Sequence, residues 1–437
     1  MSTRIVILGA GTGGTLAANR LQRELRDRRA DITVVDLDDA HLYQPGLLFV
    51  PFGMALGHKL VRSRRQQLRR GIKYVQRTID RVDLERNTVF LHDGVELEYD
   101  VLIVATGAVL SPEETEGLSD AMLMDVAHNF YTLAGAEALQ SALARFEGGR
   151  LVVNVVDMPI KCPVAPLEFC FLADWYFQQR GIRERVEITY VTPLDAAFTK
   201  PVASKALGGL LAEKNIGLIT EFNTGSVDGQ GHRLVSYDGR EVPFDLAVVI
   251  PVHSGAAYVA CSRGLGDELN FVPTDRYTMQ STVRPNVFAI GDATNVAVSK
   301  AGSVAHFAGE ALVANVVHFI EGTPLAATFD GHANCFIESG FGKAMLIDFN
   351  YETEPLPGRY PNAVGLPLLK QSRLNHLGKR MFQWFYWHGL LPGRDVPGIA
   401  SDMPSSGKRG LAHTPPPPAA TLPGEPPTDR TQEEKVS

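Results

Sequence analysis

One cysteine lies in a segment whose residue types favour redox chemistry. Cys162 lies in VVDMPIKCPVAPLEF, where three prolines surround it and an apolar stretch typical of a helix follows. A thiol at the start of a helix can have a lowered pKa, because free N–H groups and the helix dipole stabilise the thiolate. We therefore interpret Cys162 as a reactive thiol. The alternative is a buried, inert cysteine, which is the commoner fate of this residue type.

A glycine-rich turn near the N-terminus predicts a bound dinucleotide. The apolar strand RIVIL leads into GAGTGG, where Gly9, Gly11 and Gly14 have G-x-G-x-x-G spacing. A helical stretch and a second strand follow, and the strand ends at Asp36. The glycines allow a tight turn, close approach of a pyrophosphate and helix–strand packing, while Asp36 would accept hydrogen bonds from a ribose. The alternative is a glycine-rich turn of an ordinary α/β domain.

Two later strands end in short motifs that extend this pattern. YDVLIVATGA ends in Thr106 and Gly107, and RPNVFAIGDATN contains Gly291 and Asp292. With the glycine loop, in this order, they resemble the flavoproteins with two dinucleotide-binding domains, the disulfide reductase-like group. The resemblance spans residues 1 to about 325 and implies FAD, with its adenosine half on the first loop and its ribityl or phosphate part on Asp292. The residues assigned to FAD are Gly9, Gly11, Gly14, Asp36, Thr106, Gly107, Gly291, Asp292, Lys300 and Gly302.

Lys300 and Gly302 enter this set because VSKAGSVAH resembles the turn that approaches the flavin ring in this group. The alternative for Lys300 is a solvated lysine of a loop.

The second half of the chain repeats the strand pattern without a second glycine loop. The strand LVVNVV leads into a segment from Asp157 to Phe169 that has no glycine and three prolines. Because proline lacks an N–H and fixes φ, this segment cannot wrap closely around a pyrophosphate. The related flavoproteins bind NAD(P)H in this domain. We therefore expect the domain to keep its fold and to have lost NADH, so that another donor reduces the flavin.

The motif K-C-P-x-x-P-x-E at Cys162 and the later N-C-F-I-E at Cys335 resemble the sulfide:quinone oxidoreductases and the related flavocytochrome c sulfide dehydrogenases. The resemblance continues to about residue 395 and implies a redox-active pair, Cys162 and Cys335, joined by a disulfide or bridging polysulfide when oxidised. Hydrosulfide would attack one sulfur, the electrons would pass to FAD and then to a quinone, and the sulfur would leave as polysulfide or zero-valent sulfur. Glu168 resembles the family's loop acid and would shuttle a proton. Its alternative is a first-turn glutamate that complements the helix dipole.

The cysteine pattern also departs from the family. A third cysteine is often found about thirty residues before the Cys162 position, but DVAHNFYTLAG (125–135) has none, which favours a two-cysteine cycle. Cys170 is expected in the core, and Cys261 is expected to be incidental. No cysteines have zinc-ligand spacing, so no metal site is expected.

Residues 368–398 are basic and aromatic, which predicts an amphipathic helix lying in the headgroup region of a membrane. The alternatives are a helix packed on the protein's own core or a dimer face. Phe336 matches the family's aromatic near the quinone, and Phe385 or Phe382 is expected on the other side of the ring. The residues that define the segment are Lys370, Arg373, Lys379, Arg380, Phe382, Trp384, Phe385, Tyr386, Trp387 and Arg394, against the single acid Asp395.

The composition bounds the classes of function. The chain has 437 residues, of which 45% are hydrophobic, enough for two or three domains with sizeable cores. A net charge of −7 disfavours nucleic acid as a partner. No apolar run of about 18 residues and no signal segment is visible, so we expect a peripheral protein on the cytoplasmic side of a membrane. The expected partners are hydrosulfide, a membrane quinone and the membrane surface, with self-association left open.

We therefore predict an α/β fold of two Rossmann-like dinucleotide-binding domains with a C-terminal interface and membrane-docking region. The predicted divisions are a discontinuous FAD domain (1–112 and 275–325), a degenerate NAD-like domain (113–274), an interface domain with the amphipathic helix (326–400) and a disordered, proline-rich tail (401–437).

Three alternatives to a sulfide:quinone oxidoreductase stay open. A sulfide dehydrogenase subunit would hand electrons to a cytochrome, but such subunits are usually exported. A type II NADH:quinone dehydrogenase would need the missing second glycine loop. A flavin-binding protein whose redox state controls partner contacts belongs to a different class, and nothing in the sequence specifies its partner.

Overall fold

The computed structural model describes residues 2–26, 30–394 and 400–410. Asp395 and the predicted tail beyond residue 410 lie outside the described residues. The strands are β1 (Thr3–Leu8), β2 (Ala30–Asp36), β3 (Ala40–Leu42), β4 (Val61–Ser63), β5 (Lys73–Gln76), β6 (Ile79–Asp83), β7 (Thr88–Leu91), β8 (Glu96–Glu98), β9 (Val101–Val104), β10 (Val109–Ser111), β11 (Ala127–His128), β12 (Gly149–Val155), β13 (Val186–Val191), β14 (Ile216–Ile219), β15 (Thr224–Asp228), β16 (Arg233–Ser236), β17 (Glu241–Pro243), β18 (Leu246–Ile250), β19 (Val252–Ser254), β20 (Val287–Ala289), β21 (Ala333–Gly340), β22 (Lys343–Phe349), β23 (Gly358–Tyr360) and β24 (Leu366–Leu368). The α-helices are α1 (Thr12–Glu24), α2 (Leu118–Leu123), α3 (Leu133–Arg145), α4 (Ala165–Gln179), α5 (Pro201–Glu213), α6 (Ala257–Ala260), α7 (Gly302–Glu321) and α8 (Arg373–Phe385), and α8 continues into a π-helical turn, Tyr386–Leu390.

The first sheet is parallel, with strand order β20-β9-β1-β2-β5. Its strands are apolar runs because both faces are covered; all four residues of β9 are buried. β1 is paired on both sides, so that Ile5 lies between Ile32 and Val101. β20 comes from far later in the chain, and this return is what a discontinuous first domain requires. The carboxyl ends of these strands place the predicted FAD residues at one edge.

The second sheet repeats the arrangement, with strand order β11-β18-β12-β13-β14, all parallel. Residues 156–164 join β12 to α4 and carry Cys162. The antiparallel pair β10 and β19 connects the two halves. The predicted α/β class with two parallel sheets is confirmed, and the loop at Cys162 is where the second sheet faces the first.

The C-terminal region is built on the hairpin of β21 and β22, on which α8 and α4 both pack. α7 is the one helix of the described residues that is long and apolar enough to cross a bilayer, but 61% of its most apolar window is buried inside the protein. It packs against α1 and β21 and is therefore a core helix.

Residues 401–410, which were predicted as the start of a disordered tail, pack against this region instead. The carbonyl oxygen of Gly407 accepts from the backbone N–H of Arg359 (2.9 Å), and the N–H of Arg409 donates to the carbonyl oxygen of Pro357 (2.9 Å). The ammonium of Lys408 is buried against the carboxylate of Asp348. These three contacts hold the segment, and composition alone did not indicate them.

Candidate active site

The glycine loop forms a cradle that fits a pyrophosphate. Gly9 has a φ of +96°, and a Cβ at Gly14 would lie 1.9 Å from the carbonyl oxygen of Gly9, so both positions require glycine. Gly11 faces open space, with no atom within 4 Å of its ideal Cβ position. It is the N-cap of α1 and has no side-chain cap, so the first N–H groups of the helix remain available for an anion.

Asp36 ends β2 beside this cradle. Its carboxylate accepts from the backbone N–H groups of Ala10 (2.6 Å) and Leu37 (2.7 Å), and Arg64 pairs with it at 3.0 Å. A carboxylate has about four acceptor positions, so these contacts fix its orientation and leave capacity for ribose hydroxyls. Arg64 was not identified from the sequence.

The other motifs predicted to hold FAD lie at the ends of β9 and β20. Gly107 and Gly291 both have a φ of +71°. The hydroxyl of Thr106 is 3.3 Å from that of Tyr258. Gly302 is the first residue of α7, which has no acidic residue in its first turn. The end of each strand thus turns sharply, and a long helix starts beside the turn.

Lys300 is not the solvated lysine of the alternative, and its predicted contact with FAD stays a prediction. Its ammonium is buried and donates to the carbonyl oxygens of Asp292 (2.9 Å) and Thr294 (2.8 Å), and it lies 3.9 Å from the centroid of the Phe271 ring. Two of its three N–H donors are therefore used by the protein, and one remains. Its role in the structure is to hold the turn that carries Asp292.

A second lysine and a histidine were not identified from the sequence, although they face the same turn. Lys161 makes no side-chain hydrogen bond or ion pair with any described residue, and burial lowers its pKa while Asp292 opposes that shift. His253 is buried, and its Nε2 has no partner among the described residues. Its Nδ1 lies 2.9 Å from the carbonyl oxygen of Pro251, which assigns the proton to Nδ1. Burial, and then the charge of Lys161, lower the pKa of His253 to about 3.

The unpaired Nε2 of His253 is an independent test of the FAD assignment. Burying a polar atom without a partner is costly, so a bound molecule that donates a hydrogen bond is expected beside His253. Together with the glycine cradle and the free helix start, the residues present fit FAD, and the predicted cofactor is confirmed.

The structure brings together Cys162, Cys335 and Glu168 from three elements. Cys162 is half-buried with a φ of +45°, and its N–H donates to the carbonyl oxygen of Lys300 at 2.7 Å. Cys335 lies on β21 opposite Ile347 and is 9% exposed. Both cysteines are free thiols, and the charge that Cys335 would carry contributes to raising the pKa of Cys162.

The prediction of a lowered pKa at Cys162 is wrong for this structure. Burial, followed by the charge of Glu168, raises the pKa of Cys162 far above its ordinary value. Burial and the same carboxylate raise the pKa of Cys335 to about 12. The helix start is therefore outweighed by desolvation and by a neighbouring acid. Lys379 is the one described cation that acts against these shifts at both thiols.

Glu168 is part of a buried charge network rather than a simple helix-terminal acid. One of its carboxylate oxygens accepts from the ammonium of Lys379 and from the backbone N–H of Glu338 (2.6 Å). The side chains of Glu168 and Lys379 are 2% and 11% exposed. Lys379 also donates to the carbonyl oxygen of Phe336 at 3.1 Å, and Glu338 accepts from His376 at 2.7 Å. The network joins α4, β21 and α8 directly beside the cysteine pair.

Lys379 was predicted among the membrane-facing basic residues, and that prediction is wrong. α8 exposes an apolar stripe of Leu374, Leu377, Met381 and Trp384. Because an α-helix has 3.6 residues per turn, Lys379 lies on the opposite side from this stripe. That spacing was a signal in the sequence that could have placed Lys379 inside.

The aromatic residues of this segment also divide into two groups. Trp384 is 67% exposed, whereas Trp387 is 3% exposed and Tyr386 is buried. The hydroxyl of Tyr386 lies 2.7 Å from both Thr12 Oγ1 and His41 Nε2. The π-helical turn is thus packed on the first domain, which the aromatic composition of the segment did not predict.

The two predicted quinone contacts do not pack together. The ring of Phe336 lies against α8, because a Cβ at Gly378 would meet it at 3.0 Å. Phe336 joins a small apolar cluster with Leu366, whereas Phe385 packs on the main core with Phe382. The two rings therefore belong to different apolar clusters, although Gly378 and Phe385 lie on the same face of α8. Their contact with a quinone stays a prediction.

Comparisons with known proteins were made for the whole chain. Residues 3–156 match the model of the pyridine nucleotide-disulphide oxidoreductase family. A relative named mitochondrial sulfide:quinone oxidoreductase, from Dictyostelium discoideum, is 26% identical over 399 residues, covering 90% of this chain and 86% of that protein. The mouse protein of the same name is 25% identical and covers 88% of this chain and 87% of its own length. The chain is similar to sulfide:quinone oxidoreductases along most of its length.

The fold agrees with this similarity. The X-ray structure of the sulfide:quinone oxidoreductase from the hyperthermophilic bacterium Aquifex aeolicus has a TM-score of 0.78 with 20% sequence identity, and the match covers 90% of this chain and 92% of that one. At this identity the structure supports the fold alone. The resemblance to sulfide:quinone oxidoreductases that the two cysteine motifs predicted is confirmed.

Proposed function

We propose that the protein is an FAD-dependent sulfide:quinone oxidoreductase. The observation that carries the proposal is that Cys162 and Cys335 lie close together beside the buried ion pair of Glu168 and Lys379. Cys162 comes from the second domain, and Cys335 comes from the C-terminal region. The similarity along most of the chain to proteins of that name supports it.

Several groups of this chain would hold FAD. The free N–H groups at the start of α1 would bind the pyrophosphate of FAD, and Asp36 would bind its ribose. Asp292 and Lys161 would bind the part of FAD that leads to the flavin ring. The chemistry that bound FAD would supply is a two-electron acceptor for the cysteine pair and a two-electron donor for a quinone. Lys300 keeps Asp292 in place through the two carbonyl groups that it binds.

The cysteine pair reacts with the sulfur of hydrosulfide. In the oxidised pair the S–S bond joins Cys162 to Cys335, and hydrosulfide attacks one of these sulfurs. A new S–S bond forms, the old one breaks, and the products are a persulfide on one cysteine and a thiolate on the other. Because burial and Glu168 raise the pKa of both thiols, the leaving thiolate is costly unless a cation stabilises it. Lys379 supplies that positive charge.

The second domain argues against NADH as the donor. The segment between β12 and α4 holds Cys162 in place of a glycine turn, and the first turn of α4 carries Glu168, whose charge raises the pKa of both thiols. A type II NADH:quinone oxidoreductase would need free N–H groups at this point. The cytochrome-coupled alternative keeps the same cysteine chemistry and differs in its electron acceptor.

The membrane is the expected source of the quinone. The exposed stripe of Leu374, Leu377, Met381 and Trp384 is flanked by the exposed side chains of Arg373 and Arg380. A helix of this kind fits the interface of a bilayer with anionic lipids. We propose that α8 docks the protein on the cytoplasmic side of the membrane and that the quinone enters near Phe336, whose carbonyl oxygen binds Lys379.

Anaerobic titration of the purified holoprotein with sulfide, followed at the oxidised flavin band, tests this proposal. Sulfide should bleach the flavin, a soluble quinone should restore it, and NADH should have no effect. The variants Cys162→Ser and Cys335→Ser should lose the bleaching. Cys261→Ser should keep it, because Cys261 is exposed and has no role in the proposed reaction. Bleaching by NADH alone would refute the proposal. A Cys162→Ser protein that keeps its biological effect would instead favour a redox-dependent interaction protein.

A further inference from the structure

A row of titratable side chains runs from the cysteine pair to the surface of α8. Glu168 lies nearest the thiols, Lys379 binds it, Glu338 follows on β21, and His376 ends the row. Glu338 is 1% exposed, whereas His376 is half-buried and reaches the surface. The row therefore joins the thiols to the surface of α8 through titratable side chains.

The inner contacts are well defined. The N–H of Glu338 donates to Glu168 at 2.6 Å, and the charges of Glu168 and Glu338 both raise the pKa of Lys379 against the effect of its burial. Burial raises the pKa of Glu168, while Lys379 and this N–H lower it. The groups that face the row are therefore the two glutamates, the lysine, the histidine and the thiols of Cys162 and Cys335.

The outer contact has an unusual feature. Glu338 accepts from His376 Nδ1 at 2.7 Å through one oxygen, and its other oxygen, Oε2, is buried with no partner among the described residues. An unpaired buried oxygen on a carboxylate is unfavourable for a purely structural ion pair. It becomes useful if that carboxylate accepts and releases a proton during turnover.

The proposed reaction needs such a proton. Oxidising hydrosulfide to zero-valent sulfur releases two electrons and one proton, and reducing a quinone to the quinol consumes two electrons and two protons. One proton per turnover must therefore come from solvent. The proton released by hydrosulfide appears next to Glu168, but the second one has to cross the buried region.

We propose that His376 and Glu338 carry this solvent proton from the surface of α8 to Lys379 and Glu168, and from there to the quinone. The inference rests on the proposed function, and it adds two residues that act through Lys379 rather than on the substrate. Its consequence is that the two half-reactions depend on the row differently. Flavin reduction by hydrosulfide needs no solvent proton, whereas flavin reoxidation by quinone does.

Stopped-flow measurement of both half-reactions separates these cases. Glu338→Gln keeps the volume and hydrogen bonds of the side chain but removes its ability to take up a proton. His376→Ala removes the imidazole at the surface end of the row. Both variants should reduce quinone at least about tenfold more slowly at pH 8 than the wild type, because a positioned proton donor typically contributes 10²–10⁴-fold. Flavin reduction by sulfide should change less than about twofold. Added imidazole should restore reoxidation in His376→Ala.

His388→Ala is the matched control, because His388 is exposed in the π-helical turn after α8 and contacts the carbonyl oxygen of Trp384 instead of an acid. It should leave both half-reactions and their pH profiles unchanged. Equal losses in both half-reactions, or a loss that neither lower pH nor imidazole relieves, would overturn the relay. Failure of sulfide to reduce the wild-type flavin would instead refute the proposed function.

Discussion

Removing the ammonium of Lys379 should destabilise the protein in a pH-dependent way. In Lys379→Met the carboxylate of Glu168 keeps only the N–H of Glu338 as a donor, in a site where it is 2% exposed. Breaking a buried pair by removing one partner typically costs about 3–5 kcal/mol. With an m-value of about 3 kcal/mol per molar urea, that cost corresponds to a midpoint lower by about 1–2 M.

The pH dependence follows from the direction of the pKa shift. Burial already raises the pKa of Glu168, and Lys379 is the largest influence that lowers it. Without the lysine the folded-state pKa rises further above the unfolded value of about 4.3. The folded variant therefore binds the proton more tightly than the unfolded chain. Its stability relative to the wild type is best at low pH and falls as pH rises toward the raised pKa, by up to about 1.4 kcal/mol per pH unit.

Urea unfolding of the holoprotein at pH 5.5 and 8.5, followed by tryptophan fluorescence and flavin release, measures this effect. The deficit of Lys379→Met should be larger at pH 8.5, and adding Glu168→Gln should remove most of the difference between the two pH values. Arg380→Met, the exposed neighbour on α8, is the control and should shift neither midpoint. A deficit that is equal at both pH values, or that survives in the double variant, would refute the assignment of the buried pair.

Three further results are expected. Gly14→Ala should purify without flavin, because its Cβ would lie 1.9 Å from a carbonyl oxygen of the loop, whereas Gly11→Ala, which faces open space, should keep part of its flavin absorbance. In the reduced protein, iodoacetamide should label the exposed Cys261 quickly and the buried Cys335 slowly. Because burial raises the pKa of Cys335 to about 12, its labelling rate should rise about tenfold per pH unit between pH 8 and 10. Equal labelling rates for the two cysteines, measured by mass spectrometry, would contradict the burial of Cys335. Trp384→Ala should weaken flotation with anionic vesicles while leaving soluble-quinone activity intact, and unchanged flotation would exclude α8 as the docking surface.

The sequence predicted the parts of the fold that short-range patterns determine. Strand, glycine turn, helix and a terminal Asp36 form one local unit, so spacing was sufficient to predict it. The resemblance of the two cysteine motifs to a known family predicted that Cys162 and Cys335 lie close together, although they are far apart in the chain.

The parts that could not be predicted depend on contacts across the molecule. Lys379 pairs with Glu168, which is 211 residues away, so composition assigned it to the basic membrane-facing residues. The lowered thiol pKa expected at Cys162 from a helix start was overturned by burial and by a carboxylate, neither of which is visible in the local sequence. Tyr386 and Trp387 were assigned to the membrane interface because aromatic composition does not distinguish a lipid surface from a neighbouring domain.

The late position of Lys408 has a consequence for biosynthesis. Its ammonium neutralises Asp348 on β22, directly across the hairpin from the strand that carries Cys335. During translation the hairpin leaves the ribosome well before residue 408 does, so Asp348 stays without this partner until then. The hairpin that carries Cys335 therefore reaches its full stability only after residue 408 has emerged.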